Sequence, residues 1–209
     1  MQPYFCSFIR LKYKKHNLLI MYKTLFLTCI FHQSALAQYP SGSFFFAKEF
    51  SKDQTLYYGK TFIVNEVLGK KKDVVQFYLD PLAAANSGEL TTLVYKCESQ
   101  NKEGLILGFY GSRWNNAGVN YLSYGFKELP INDANELLDR IEMEIDKNSK
   151  FLQKNQDNNN VYFSVKDITV LLYQATYSIV MRLYWNGYDA EWEWSAYNKT
   201  KKRLAKKLK

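Results

Sequence analysis

Histidine and cysteine are scarce in this chain, and most of the few present lie near its amino terminus. Of 209 residues, two are histidine and three are cysteine. Both histidines and two of the cysteines precede residue 38: His16, His32, Cys6 and Cys29. Residues 38–209 therefore contain no imidazole and one thiol, Cys97. This excludes Ser-His-Asp and Cys-His catalysis, zinc sites built on histidine or several cysteines and an internal disulfide.

Common enzyme signatures are also absent from the chain. The GxSxG, HExxH, P-loop and dinucleotide-binding patterns do not occur. Without histidine, general acid–base catalysis would depend on carboxylates, lysine or tyrosine. We therefore expect no metal, no cofactor and no catalytic site of these common types.

The first 37 residues predict a cleaved signal peptide. Their apolar run, residues 24–31, is much shorter than the roughly 20 residues that a membrane-spanning helix needs. It follows a basic start at Met21 and precedes a small-x-small cleavage pattern ending at Ala37. We expect Met21 to be the true start, the alternative being an unusually long basic region over residues 1–20. The protein is then expected to be exported: periplasmic, envelope-associated or secreted.

The charge of the remaining chain argues against nucleic-acid binding. Residues 38–209 have a length that suits one globular domain. Removing the five basic residues of the leader lowers the formal net charge from +8 to +3. Seven more basic residues lie in the last eleven positions, and residues 38–198 carry 16 basic and 20 acidic side chains. Such a mildly acidic body is not typical of a nucleic-acid binder.

The basic carboxyl-terminal end predicts a contact with an anionic surface. Each lysine or arginine near a charged surface contributes about 1 kcal/mol of attraction. The residues are Lys201, Lys202, Arg203, Lys206 and Lys207. The alternative is a helix end that is merely solvated.

The stretch 104–126 predicts a β-hairpin with a ligand-binding loop. Residues 105–110 and 119–126 have strand patterns, and residues 111–118 between them are rich in turn formers. An aromatic side chain beside amides and a guanidinium suits binding of a sugar, a peptide or a carboxylate. The candidate residues are Tyr110, Arg113, Trp114, Asn115, Asn116 and Tyr121. The alternative is a structural turn in which Trp114 packs on the core.

Strand patterns dominate the rest of the first half. We predict strands at 43–50, 60–68, 73–79 and 90–98. Between the last two, Asp80 as N-cap, Pro81 and Gly88 predict a short helical turn. On the fourth strand, Cys97 shares the more apolar face with Leu93, so we expect a buried, structural thiol.

The second half begins with a helical period. Apolar residues recur at helical spacing over 133–154, with a capping box formed by Asp133 and Glu136. A polar loop at 155–160 follows, and then strands at 161–165, 168–174 and 177–185. Asn186-Gly187 predicts a tight turn. Residues 188–194 alternate like a strand, but the dipole argument favours a carboxyl-terminal helix over 189–206.

Together these elements predict an α+β fold. We expect an antiparallel, twisted sheet of about seven or eight strands, with one long inserted helix and a carboxyl-terminal helix. The alternative is a lipocalin-like closed β-barrel. The function this favours is an exported, non-enzymatic module that binds a glycan, peptide or protein.

Two other functions remain open. A small carboxylate-dependent hydrolase would use Asp189, Glu191 and Glu193, although only Asp189 and Glu193 share a face of the predicted helix. A structural component of the envelope is the third alternative.

Overall fold

The chain folds into alternating groups of strands and helices. A computed structural model describes residues 43–114, 117–155, 158–176 and 178–208, with the backbone alone at 43–51, 112 and 114. The elements are α1 Ser43–Phe62, β1 Tyr78–Ala84, β2 Leu90–Cys97, β3 Lys102–Trp114, β4 Asn120–Pro130, α2 Ile131–Lys154, β5 Asn160–Val165, β6 Ile168–Gln174, β7 Ile179–Trp185, β8 Tyr188–Glu193 and α3 Trp194–Lys207. A π-helical turn, Ile63–Val67, continues α1, and a 3-10 turn, Glu98–Gln100, follows β2.

The strands form two antiparallel sheets. Sheet I has the order β1-β2-β3-β4, and sheet II has the order β5-β6-β7-β8. The predicted α+β class, the strand number, the long inserted helix and the carboxyl-terminal helix are confirmed. The strands divide into two open sheets where one was expected, and no closed barrel is present in the described ranges.

The central strands of sheet I are buried on both faces. Leu105, Ile106, Leu107 and Phe109 of β3 are all fully buried, whichever face they occupy. One face packs against sheet II, α2 and α3, and the other against α1 and the segment that follows it. This explains why β3 is nearly continuously apolar, because alternation is expected only when one face meets water.

Sheet II is buried on one face only. In β6 and β8, buried residues alternate with more exposed ones. Tyr188, Ala190 and Trp192 of β8 point into the larger core, which they share with the apolar face of α2. The alternation that the sequence showed in this region is therefore that of a half-buried antiparallel sheet.

The first two predicted strands, 43–50 and 60–68, are wrong because both lie in α1 and its π-helical turn. Thr55, Gly59, Ile63 and Val67 are buried at intervals of four residues. Two members of this helical stripe are threonine and glycine, so the stripe is not visible as an apolar pattern. Glycine at 108 of β3 allows the close approach, since a Cβ there would lie 2.5 Å from the Thr55 methyl.

The predicted helical turn at 80–88 is also wrong, because residues 80–84 belong to β1. Pro81 is accommodated since β1 is an edge strand with a register shift between Pro81 and Ala83, the position where a sheet tolerates proline. Asp80 forms an ion pair with Lys207 instead of capping a helix. Of the predicted strand 73–79, only its end lies in β1.

The other predictions are largely confirmed, with one exception at residues 188–193. The strand at 90–98, the hairpin, the helix at 133–154 and the three strands after it are present within a few residues. Asp133 forms no cap, because the N-cap position is Pro130 and Asp133 pairs with Lys166. No helix in the described part of the chain combines the length and apolarity needed to cross a bilayer.

The exception is the start of the last helix. Residues 188–193 form β8, and α3 begins only at Trp194. The backbone angles φ of Asn186 and Gly187 are 46° and 75°, which suit a tight hairpin turn. That turn brings β8 back along β7. The acids of residues 189–193 suit the start of a helix, but the hydrogen bonds between β7 and β8 keep this segment a strand.

Candidate functional site

The first half of the predicted hairpin loop, residues 111–114, is strand. β3 continues to Trp114 and pairs with Asn120 of β4, so the connection spans only residues 115–119. Asn115 and Asn116 lie outside the described residues, as does the side chain of Trp114. The candidate site must therefore be built from Tyr110, Arg113 and Tyr121.

The strand register separates these three side chains. Arg113 is paired with Tyr121, and Tyr110 is paired with Tyr124. Because successive residues of a strand point to opposite faces, Arg113 and Tyr121 share the face toward sheet II. Tyr110 lies on the face toward α1. The structure thus brings Arg113 and Tyr121 together and places Tyr110 elsewhere.

Tyr110 belongs to a row of tyrosines between α1 and sheet I. Its ring centroid is 4.6 Å from that of Tyr124, which lies 5.2 Å from Tyr58. Tyr57, which is 69% exposed, meets Tyr58 edge to face. Burial raises the pKa of Tyr124, as do the adjacent phenols. Since most of these rings cover one another, they offer edges and hydroxyls to a ligand more than open faces.

Arg113 is held over the turn between β7 and β8. Its guanidinium carbon lies 4.9 Å from the ring centroid of Tyr188, a cation–π distance. Its Nη2 donates a long hydrogen bond of 3.5 Å to Asn186 Oδ1. A Cβ at position 187 would lie 3.5 Å from the arginine Nε, so Gly187 leaves room for the guanidinium. No carboxylate of the described residues pairs with Arg113.

Tyr188, the ring against which Arg113 lies, is held in place by residues of sheet I. Its hydroxyl lies 2.8 Å from Ser123 Oγ and donates to the Tyr124 carbonyl at 2.9 Å. The ring occupies the space that a side chain at Gly125 would need, because a Cβ there would lie 2.4 Å from it. Trp185 is stacked beside Tyr188 at 6.2 Å. These contacts join β4 of sheet I to β7 and β8 of sheet II.

The turn forms one wall of an open groove. The groove has a volume of about 410 Å³ and is lined by Asp167, Tyr184, Trp185, Asn186, Gly187, Tyr188 and Asp189. Lys127 lies 2.7 Å from Asp167 in an ion pair, and Trp185 Nε1 donates to the same carboxylate at 2.9 Å. The Lys127 hydrogen bond lowers the pKa of Asp167 despite partial burial.

Sequence reasoning missed these groove residues except Asp189, which it assigned to the carboxylate set of a hydrolase. Asn186-Gly187 was recognised as a turn, but nothing in a single sequence says that it faces the hairpin more than 70 positions earlier. The tryptophan and tyrosine flanking the turn were the available signal, since aromatic side chains beside a tight turn lie at the edge of a sheet. The groove lining combines aromatic, amide and carboxylate groups, which is the composition of a polar-ligand site. The Arg113 guanidinium contacts two of the lining residues, Asn186 and Tyr188.

The three acids of β8 share one face. As a strand, β8 places Asp189, Glu191 and Glu193 together on the side away from the core, whereas the predicted helix joined only two of them. Asp189 forms an ion pair with Arg182 at 2.8 Å. Burial raises the pKa of Glu191, and the carboxylates of Glu193 and Glu89 raise it further.

The carboxylates of Glu89 and Glu193 accept hydrogen bonds from backbone N–H groups and so contribute to the fold. Glu89 Oε2 accepts a hydrogen bond from the Glu191 N–H at 3.0 Å, and Glu193 Oε1 accepts one from the Asn86 N–H at 2.5 Å. We call this reciprocal pair the carboxylate clasp. It ties the loop between β1 and β2 to the edge strand of sheet II. Within the described ranges, no three His, Cys, Asp or Glu side chains form a metal-binding group.

The basic residues of α3 divide into two sets. Three of the five candidates join α3 to its neighbours: Lys201 to Asp139 and Glu142, Arg203 to the Leu82 carbonyl, and Lys207 to Asp80 and Tyr78. The other two, Lys202 and Lys206, are exposed, as is Lys199. Because their spacings are three and four residues, these lysines form one stripe along the solvent face of α3.

A larger cavity lies at the other end of sheet I. It has a volume of about 550 Å³ and includes Tyr95, Lys102, Glu103 and Glu128 in its lining. The Tyr95 hydroxyl donates to Glu128 at 2.5 Å, and burial raises the pKa of this tyrosine. Since Tyr95 is almost fully buried, the aromatic ring itself is not offered to a ligand here.

The groove at Arg113 is therefore the best candidate site. Arg113 contacts the aromatic and amide residues of its lining, and Tyr121, also indicated by the sequence, is the cross-strand neighbour of Arg113. Comparison of the chain with protein families, curated proteins and solved structures gave no match.

Proposed function

We propose that this protein is an exported, non-enzymatic binding module that acts at the cell envelope or outside the cell. Its ligand, a glycan, peptide or protein, binds at the groove between the tip of the β3–β4 hairpin and the β7–β8 turn. The observation that carries this proposal is Arg113, a positioned guanidinium without a carboxylate partner among the described residues. A cation held in this way is prepared for a ligand rather than used by the fold.

The surroundings of Arg113 support the same function. Tyr121, its partner across the strands, is 44% exposed, and Tyr184 on the groove is 38% exposed. Asn186 offers an exposed amide at the rim. Aromatic rings with a few convergent polar groups on a rigid sheet are typical of binding sites.

The test compares charge-matched variants. Arg113→Gln removes the positioned guanidinium, and Lys154→Gln at the exposed end of α2 is the control. Wild-type protein and both variants are applied to glycan and peptide arrays and to native envelope fractions. We expect Arg113→Gln to weaken capture by about tenfold or more and Lys154→Gln to leave it unchanged. Equal capture by both variants would contradict a binding site at Arg113. No capture by the wild-type protein would contradict the proposed binding function.

The exported state rests on the predicted leader, residues 1–37. It is tested by amino-terminal sequencing of protein recovered from the native host. We expect the mature chain to begin at Gln38. A first residue within 1–20 on the functional protein would overturn the proposed localisation.

The basic face of α3 would act as a secondary contact. In this proposal the exposed Lys199, Lys202 and Lys206 approach an anionic surface, while Lys201, Arg203 and Lys207 hold α3 in place. At about 1 kcal/mol each near a charged surface, three lysines add to binding without supplying it alone. Sedimentation with anionic vesicles should fall in a triple Lys→Gln variant of the exposed set.

A carboxylate-dependent hydrolase is the second candidate, because β8 brings its three acids to one face and the pKa of Glu191 is raised. An acid of raised pKa near ionised carboxylates suits glycoside hydrolysis. Turnover of a panel of chromogenic glycosides that is lost in Glu191→Gln would support it. The clasp gives Glu89 and Glu193 a structural explanation, which favours the binding module.

A further inference from the structure

We propose that the ligand of the Arg113 groove is an acidic saccharide, bound through a carboxylate on the sugar. This inference rests on the proposed binding function and narrows its ligand class. Three features of the site support this ligand class: the balance of its charges, the fixed position of the guanidinium and the groups that surround it.

Arg113 lies against the groove residues Asn186 and Tyr188, and the two carboxylates of the groove lining do not pair with it. Asp167 is paired with Lys127, and Asp189 is paired with Arg182. Glu191 and Glu89 face Arg182 from the far side and do not pair with Arg113. Within the described residues Arg113 is therefore left to an external anion.

The guanidinium is also held in a defined position. The ring of Tyr188 and the amide of Asn186 contact it from the β7–β8 turn, and Gly187 has no side chain that would crowd it. A planar guanidinium fixed in this way binds a carboxylate through two parallel hydrogen bonds, which a flexible lysine does not reproduce. A carboxylate is thus an anion whose geometry matches the guanidinium.

The remaining groups favour a sugar over an acidic peptide. Asp167 and Asp189 lie in the lining of the groove, where each is already paired with a cation. The same two carboxylates, with the Asn186 amide, accept hydrogen bonds from hydroxyl groups. A sugar acid supplies one carboxylate per ring together with several hydroxyls, and the exposed ring of Tyr121, the cross-strand neighbour of Arg113, suits its apolar face.

The experiment uses calorimetric titration of chain 38–209 with tri-galacturonate, its methyl ester and the neutral galactose trisaccharide. We expect the acid to bind about tenfold or more tightly than the ester. In Arg113→Gln this preference should fall to less than about twofold, and Arg113→Lys should recover only part of it. The comparison of acid with ester in wild-type protein does not depend on any variant folding.

Different failures identify different errors. Equal binding of acid and ester, or a preference that survives Arg113→Gln, would overturn the acidic ligand while the binding function stands. The same holds if the arrays yield only neutral glycans or peptides that require Arg113. If neither the trisaccharides nor the arrays give any binding, both the inference and the proposed function fall.

Discussion

At the scale of single residues, Gly125 decides whether the two sheets meet correctly. A Cβ at this position would lie 2.4 Å from the ring of Tyr188. We predict that Gly125→Ala displaces Tyr188, breaks its hydrogen bonds to Ser123 and the Tyr124 carbonyl, and destabilises the protein by about 1–3 kcal/mol. The measurement is the free energy of unfolding in urea.

The matched control is Gly111→Ala on the neighbouring strand. The nearest atom to a Cβ there is the Asp189 carbonyl oxygen at 4.0 Å, an ordinary contact. We expect this variant to be neutral or slightly stabilising, by less than about 1 kcal/mol. Equal effects of the two alanines would show that Tyr188 is not packed against position 125 as described.

Glu191 is a second residue with a measurable consequence. Because folding raises the pKa of this carboxyl, its ionised form is less favourable in the folded protein than in the unfolded chain. The stabilisation is thus present at low pH and lost as pH rises through the folded pKa. We predict that Glu191→Gln raises Tm at pH 7.5, on the order of 1–3 °C since solvent screens a half-buried group.

This difference should disappear on acidification. Below about pH 4, where glutamate is protonated in the unfolded chain as well, wild type and Glu191→Gln should have equal Tm. Glu66→Gln on the exposed π-helical turn serves as the control. A Glu191→Gln variant that is less stable than wild type at pH 7.5 would contradict this assignment.

The candidate site could be predicted from the sequence only in part at this scale. Arg113 and Tyr121 were predicted as two members of a six-residue ligand site, and the alternation of the strand explains why they share a face. Tyr110 was wrongly grouped with them, because the pattern suggested a loop at 111–114 where the strand continues. Asn186 and Tyr188 depend on a contact between the two sheets, which a local pattern does not contain.

At the scale of elements, the carboxylate clasp determines how β8 is held. Its two hydrogen bonds protect backbone N–H groups of the loop and of an edge strand, which would otherwise be open to pairing with other chains. We predict that Glu89→Ala and Glu193→Ala each lower the free energy of unfolding by about 1 kcal/mol. The double variant should lose less than the sum, because both bonds join the same two segments.

The exposed Glu98 provides a control for the clasp. Among the described residues its carboxylate forms an ion pair with Lys96 at the surface, so Glu98→Ala should change stability by less than about 0.5 kcal/mol. Strict additivity of Glu89→Ala and Glu193→Ala would indicate that the two bonds do not act together.

Elements differ in how well their sequences predict them. The helix α2 carries a full apolar stripe, so its pattern alone was sufficient. The buried stripe of α1 includes Thr55 and Gly59, so it does not appear as an apolar pattern, and Thr55 packs against Gly108 of β3. The acids of β8 suggested a helix, and only pairing with β7 across the Asn186-Gly187 turn makes this segment a strand.

At the scale of the whole molecule, one core joins elements that are far apart in the chain. Buried residues of both sheets, α2 and α3 form a single cluster. We predict that residues 38–209 unfold in one cooperative transition, with equal calorimetric and van't Hoff enthalpies. Tryptophan fluorescence and far-ultraviolet circular dichroism should give the same midpoint.

Two separate transitions would contradict this prediction. They would mean that sheet I with α1 is stable without sheet II. The contact between the two sheets argues against this, because the ring centroid of Phe109 lies 5.5 Å from that of Trp185 and 6.1 Å from that of Tyr188. The division into two sheets was itself not predictable, because hairpin signals define neighbours along the chain but not where one meander stops.

The burial of Cys97 has a practical consequence for handling the molecule. Its side chain is fully enclosed in the middle of the fold, and a chain that starts at residue 38 has no other sulfhydryl. A maleimide dye will therefore stay unreactive in solution until the β-structure around the sulfur opens. The rate of dye attachment therefore measures how often such openings occur. It can be followed at nanomolar protein concentration and without an engineered labelling site.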